Sequence, residues 1–283
     1  MRNNVSILLV GVMGLAVLSV ASTAGASQDN AQAAAAPASS AAGPDRDLAK
    51  KLSNPVADLI SIPLQFNYDE GFGANDAGFW RLNVQPVIPF ALTPEVNLIS
   101  RTIVPVVYQE SLAPGIDSSF GLGDTLQSFF VSPREPVGGW IVGAGPAFSF
   151  PTATDDLLGS EKWGAGPTAV VLRQAHGWTY GILANHIWSF AGEDDRESVN
   201  VSFLQPFLAY TTSGATTFTL NTESTYDWDE SEWTIPLNVM VSQLMRVGKL
   251  PVSVGVGGRW YAEAPDGGPE WGARLVLTIL LPR

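Results

Sequence analysis

The sequence predicts an all-β protein, a twelve-stranded antiparallel up-and-down transmembrane β-barrel, on three observations. Segments in which apolar and polar residues alternate recur along most of the chain, the connections between them are alternately acidic and compact, and tryptophans gather near segment ends. The alternation is clearest from Thr217 to Val241. There Phe218, Leu220, Thr222, Ser224, Tyr226 and Trp228 alternate with Thr217, Thr219, Asn221, Glu223, Thr225 and Asp227. After the acidic tip Asp229-Glu230-Ser231-Glu232, the residues Trp233, Ile235, Leu237, Val239 and Val241 alternate with Thr234, Pro236, Asn238 and Met240. A period of two puts one set on each face of a strand. In a soluble sandwich a second sheet would cover the apolar face; in a bilayer lipid covers it, with aromatics at the headgroup level.

Composition narrows the classes. A formal charge of -12 over 283 residues leaves no basic footprint for nucleic acid. Cysteine is absent, which removes disulfides, a thiolate metal site and an N-terminal lipid acceptor. Beyond the N-terminus no apolar run reaches the roughly 18 residues of a spanning helix. The apolar residues are distributed, as they are in a barrel.

Arg2, the apolar run Val5 to Val20 and the small residues Ala24-Gly25-Ala26 read as a cleaved export signal over 1–26. Residues 27–47 are rich in Ala, Ser and Pro, too poor in apolar bulk to pack, and are expected to form a flexible linker. Leu48, Leu52, Val56 and Leu59 keep roughly helical spacing, interrupted by Pro55. The segment 48–58 is therefore a short periplasmic helix or a small plug in the lumen. The barrel is expected over 59–283.

Twelve alternating segments follow: Ile60 to Tyr68, Trp80 to Ile88, Val96 to Gln109, Phe120 to Ser132, Trp140 to Phe150, Trp163 to Gln174, Trp178 to Phe190, Val199 to Thr211, the two strands of the hairpin above, Pro251 to Tyr261, and Trp271 to Leu281. Each can cross a bilayer at the usual tilt, which takes about 9 to 11 residues. An even count puts both termini on one side. Eighteen of the 27 acidic residues fall in six alternate connections, 69–78, 110–119, 152–161, 192–197, 229–232 and 263–270, which makes that set extracellular and the compact set periplasmic. Trp80, Trp163, Trp188, Trp228, Trp233, Trp260 and Trp271 outline an outer girdle; Trp140, Trp178, Tyr180, Phe90, Phe129, Phe130 and Phe218 outline an inner one. Pro63, Pro86, Pro89, Pro105, Pro146, Pro167, Pro206 and Pro236 oppose this register, since proline cannot donate to a ladder and a closed barrel has no edge. They are expected at bulges or where strands project beyond the membrane.

Several stretches carry a resemblance: Asn54-Pro-Val-Ala-Asp-Leu-Ile60, Gly121-Leu-Gly-Asp124, Pro151-Thr-Ala-Thr-Asp155, Lys162-Trp-Gly-Ala-Gly-Pro167, Ala184-Asn-His-Ile-Trp-Ser-Phe190 and Asn221-Thr-Glu-Ser-Thr-Tyr-Asp-Trp228. From Leu48 onward the chain resembles the bacterial outer-membrane proteins grouped as MetA-pathway phenol-degradation transporters, some of which bear a neuromedin-U label. The resemblance implies an outer-membrane barrel that passes small solutes, aromatic ones among them. It brings no catalytic residues.

Chemical motifs are scarce. His186 lies in one strand with Ser189, but alternation puts them on opposite faces, so no nucleophile meets a base and no catalytic residue is expected. Glu193-Asp-Asp-Arg-Glu197 lacks the spacing and central Gly of a calcium loop and reads as a solvated charge run; no metal site is expected. Gly255, Gly257 and Gly258 precede no helix, and no cofactor site is expected.

The lumen carries the information. Register makes Gln65, Arg81, Asn83, Gln85, Arg101, Asn185, Asn221, Glu223, Asp227, Asn238, Arg259 and Arg274 pore-lining. Paired across the lumen, these charges would narrow it; separated, they would set a transverse field. Gly121, Gly123, Gly143, Gly145, Gly164, Gly166 and Gly181 fall inward on neighbouring strands, where they leave free volume or only let the sheet bend. The expected protein is a passive channel or transporter for small aromatic or hydrophobic solutes in the bacterial outer membrane, in contact with outer-membrane lipid and lipopolysaccharide. The competing expectation is a structural or surface-recognition barrel with a sealed lumen, working through its acidic loops.

Overall fold

Alternating segments become staves of one sheet. The computed structural model describes residues 42–281; the expected export signal, the linker up to residue 41 and Pro282-Arg283 lie outside the described residues. The strands are β1 (Ile60–Phe72), β2 (Ala77–Val84), β3 (Val87–Ala91), β4 (Val96–Gln109), β5 (Ser119–Leu122), β6 (Thr125–Pro133), β7 (Ile141–Phe150), β8 (Lys162–Ala175), β9 (Trp178–Gly192), β10 (Asn200–Thr211), β11 (Thr216–Thr222), β12 (Ser224–Asp227), β13 (Glu232–Val247), β14 (Leu250–Glu263) and β15 (Trp271–Leu281). Three pairs, β2/β3, β5/β6 and β11/β12, are single staves broken near Pro86, Gly123 and Glu223, so the staves number twelve. Each neighbouring pair is antiparallel. β15 returns to β1, from Ile60 opposite Leu281 to Glu70 opposite Trp271. The sheet is a closed antiparallel barrel.

Pairing fixes the faces. Phe218 meets Val241 and Leu220 meets Val239 on the outside, where Val239 is 63% exposed. An aliphatic row that open belongs against lipid. Trp163, Trp188, Trp228, Trp233, Trp260 and Trp271 are likewise exposed outward near the long-loop end, and Trp140 and Trp178 near the other. One girdle residue is corrected. Phe130 pairs with Ile99 and is fully buried inside the barrel, because inward parity runs through Ser128, Phe130 and Ser132.

The prolines coincide with faults in the ladders. Pro86 separates β2 from β3, and Pro236 follows the register shift after Ile235. Pro146 and Pro167 face each other across β7 and β8; the register of β7 with β6 skips at Pro146, and that of β8 with β9 skips at Pro167. The preceding glycines explain how the strands tolerate this. A Cβ on Gly145 would run into the Phe129 carbonyl oxygen, and one on Gly166 into that of His186. These inward glycines therefore serve close backbone approach. Gly166→Val should destabilise the barrel by about 1–3 kcal/mol, as overpacking does. Urea unfolding in detergent micelles would read it, and an unchanged midpoint would sink the close-approach argument.

At the short-turn end the chain turns tightly; His176 and Gly177 join β8 to β9 with φ of 50° and 89°, the signs a two-residue primed turn requires. Helix α1 (Ala42–Leu52) lies at this end against β10, β11 and β13. It begins at Ala42, ahead of the expected Leu48, because Pro44 and Asp45 suit a first turn and Lys50 and Lys51 a last one. Asp45 is bound to Arg246 at 2.6 Å, and Gln174 Nε2 donates to the Lys50 carbonyl at 2.8 Å. Ala49 is buried with Ala215, Leu244 and Leu280.

Candidate functional site

Beyond α1, Ser53-Asn54-Pro55 stops the helix; Asn54 Oδ1 accepts from the Val56 amide at 3.0 Å, a local turn that sends the chain inward. Val56 is buried among Ile99, Phe130, Val170, Leu172 and Leu183, which are inward residues of β4, β6, β8 and β9. One end of the lumen is thus filled by apolar side chains around a single valine.

The opposite end holds a lattice of charges. Arg274 binds Glu223 through two parallel contacts of 2.8 and 2.6 Å, and its Nε donates to Asn67 Oδ1 at 2.7 Å. Arg259 bridges Asp69 at 3.1 Å and Glu223 at 3.6 Å. Two-point Arg–carboxylate contacts hold both groups in one orientation. Arg101 Nη2 donates to Gln85 Oε1 at 3.1 Å. Arg81 lies over the Phe79 ring at 4.8 Å. β1, β2 and β15 meet here in register, Asn67 being opposite both Arg81 and Arg274 and Arg274 opposite Gly257 of β14, while Glu223 comes from the break between β11 and β12 and Arg101 from lower on β4. A Cβ on Gly257 would run into the Val239 carbonyl oxygen and Met240, so β14 and β13 approach closely here.

Beside the Val56 cluster lies a chamber of about 260 Å³, whose wall runs from Ala49, Lys51 and Ala215 at the short-turn end to Glu223 and Arg274 in the lattice. Of the residues expected to line the lumen, Gln65, Gln85, Arg101, Asn221, Glu223 and Arg274 face it. Arg81, Asn83, Asn238 and Arg259 point inward by register beyond its wall, and Asn185 points inward beside Thr168 and Phe203. Asp227 is engaged elsewhere. Its Oδ1 accepts the amides of Asp229 and Glu230 in the hairpin turn at the rim. Phe207, Val87, Met240 and Val276 supply the apolar part of the chamber wall. Sequence reading placed Asp69 in an extracellular loop, whereas it continues the inward parity of Gln65 and Asn67 and is 2% exposed. Extending the alternation by one more step would have found it.

The outward histidine has a partner the alternation could not supply. Ser189 accepts the Val199 amide at 3.0 Å, while His186 Nδ1 lies 2.8 Å from Ser202 Oγ, which also accepts from Trp228 Nε1 at 2.9 Å. His186, Ser202 and Trp228 lie on the lipid side of β9, β10 and the stave after them, beside Trp188. In the loops, Arg196 reaches the carbonyls of Asp156 and Gly159 and lies 3.7 Å from Glu161, and Lys162 Nζ donates to the Glu193 carbonyl. Cations within these loops thus hold the acidic run 193–197 to 156–161. Among the described residues no group of three or more His, Asp or Glu is placed to hold a metal ion.

No family model matches the sequence, and no curated protein matches it. Among solved structures, an outer membrane channel from Pseudomonas putida F1 superposes with a TM-score of 0.63 at 15% identity, over 79% of this chain and 96% of that one. The fold is that of an outer-membrane barrel. Outer membrane phospholipase A from Escherichia coli gives a TM-score of 0.46 at 9% identity over 78% of this chain and 90% of that one, and a FadL homologue of Pseudomonas aeruginosa gives 0.36 at 9% over 80% and 90%. Neither is similar enough to bear on the chemistry of this outer-membrane barrel.

Proposed function

We propose that this barrel resides in the bacterial outer membrane, is delivered there by a cleaved N-terminal signal, and is a passive conduit for small solutes, aromatic or hydrophobic ones among them. Residues 53–59 act as its plug. The observation that carries this reading is the chamber of about 260 Å³ that runs beside the plug segment to the Arg–Glu lattice. A barrel built only as a scaffold gains from filling its interior, because voids cost packing energy. The mixed wall of amides, charges and apolar groups is that of a small-molecule site. The similarity to an outer membrane channel from Pseudomonas putida F1 agrees with this reading, as does the sequence resemblance to the MetA-pathway transporters.

Refolded mature protein in a planar bilayer tests it. Discrete conductance steps, partly blocked by an added aromatic solute, are expected. The second reading, a sealed barrel that works through its acidic loops, draws on the apolar packing around Val56. Silence from correctly folded protein, together with no uptake of aromatic solute into liposomes, would favour that sealed barrel. The recognition reading also requires that deleting 193–197 abolish surface adhesion while uptake is unchanged.

A further inference from the structure

The chamber is electrostatically unbalanced. Four guanidiniums, those of Arg81, Arg101, Arg259 and Arg274, share this part of the lumen with two carboxylates, Asp69 and Glu223. Both carboxylates are already bound, to Arg259 and Arg274. An excess of two positive charges is left, and of the two remaining guanidiniums only Arg101 borders the chamber. Among the described residues its side-chain partner is the neutral Gln85, so one of its five donors is used on a group without charge. Glu223 attracts Arg101 but is already bound by Arg274 and Arg259, so Arg101 holds no ion pair of its own, and an anion that enters relieves the cost of keeping this cation away from bulk water.

The rest of the wall says what kind of anion. Val87, Phe207, Met240 and Val276 give the occupant an apolar surface. An inorganic ion would leave the apolar wall without a partner. A volume just below the roughly 300–1,000 Å³ of drug-sized ligand sites limits the occupant to one ring or a short chain. We infer that the chamber is a binding site for a small amphipathic monocarboxylate, with its carboxylate on Arg101 and its apolar body against Phe207 and Met240. The inference rests on the lumen being a solute path and names the solute class. The acidic loops oppose entry of an anion, yet at physiological salt their field fades within about 8 Å. Arg101 acts deeper, inside a low-dielectric wall.

Benzoate, benzyl alcohol and benzylamine form an isosteric series of charge -1, 0 and +1, suited to titration calorimetry on the refolded mature protein. Benzoate should bind about tenfold or more tightly than the alcohol, as a charge-assisted hydrogen bond allows, and the amine most weakly. Arg101→Gln should erase the preference, and Arg101→Lys, which keeps the charge and guards against a folding defect, should retain most of it. Equal binding of the three probes, no binding of benzoate, or a preference that survives Arg101→Gln overturns the inference even where the bilayer shows conductance. Benzoate selectivity lost in Arg101→Gln supports it even in a silent barrel; that result would remove the conduit reading alone.

Discussion

Removing residues 42–58 from the mature protein is expected to raise single-channel conductance severalfold. The segment closes the short-turn end through Val56, in a cluster with Ile99, Phe130, Leu172 and Leu183, and through Ala49, buried with Ala215, Leu244 and Leu280, and it is anchored by Asp45 on Arg246 and by the Lys50 carbonyl on Gln174. Twelve strands enclose more room than eight, which side chains fill, and less than the sixteen or more of an aqueous porin. Once the segment is gone, the chamber opens to that end. Val56→Asp tests the same point without shortening the chain, because a carboxylate cannot stay in an apolar cluster and the segment should leave it. Conductance equal to the parent's in both variants, with folding verified, would show that the segment does not obstruct the path.

Glu223→Gln is expected to be the most destabilising single change in the lumen. Glu223 is the carboxylate shared by Arg274 and Arg259, whose side chains are 5% and 7% exposed. Losing it leaves two buried guanidiniums with Asp69 as their nearest anion, and breaking a buried pair from one side costs about 3–5 kcal/mol. Anion over cation selectivity should rise in whatever folds, since one negative charge has left the wall. Glu223→Gln combined with Arg274→Gln should recover much of the stability, because the uncompensated cation goes too. Urea unfolding of both variants reads the effect. A double variant as unstable as the single one would mean that Glu223 acts through packing.

The outside of this barrel was legible and the inside only partly so. Lipid rewards strict alternation, and so the outward row Phe218, Leu220, Leu237 and Val239 could be read directly. Inward residues obey no such uniformity. Phe130 looks like a girdle aromatic until its parity is traced through Ser128 and Ser132, and Asp69 looks like part of an acidic loop until it is counted with Asn67. Which of the inward charges meet depends on stave order and stagger. Arg274 and Glu223 are far apart in sequence and come together through the intervening staves β13 and β14. Spacing could offer either a plug or a linker helix for 48–58, because the partners of Val56 come from four distant strands.

The seam between β1 and β15 has a consequence for how the molecule assembles. It joins Ile60 to Leu281, the most distant pairing in the barrel, and chain entropy makes such a junction the slowest to form. The segment bearing Val56 runs directly into β1, on one side of that seam. While the seam is open, Val56 can reach its cluster from the side; once it has zipped, the only way in is past the turns. Closing the ring and loading the interior are therefore expected to be coupled, and a chain that closes first would have to thread the segment in past the turns or reopen its longest-range junction.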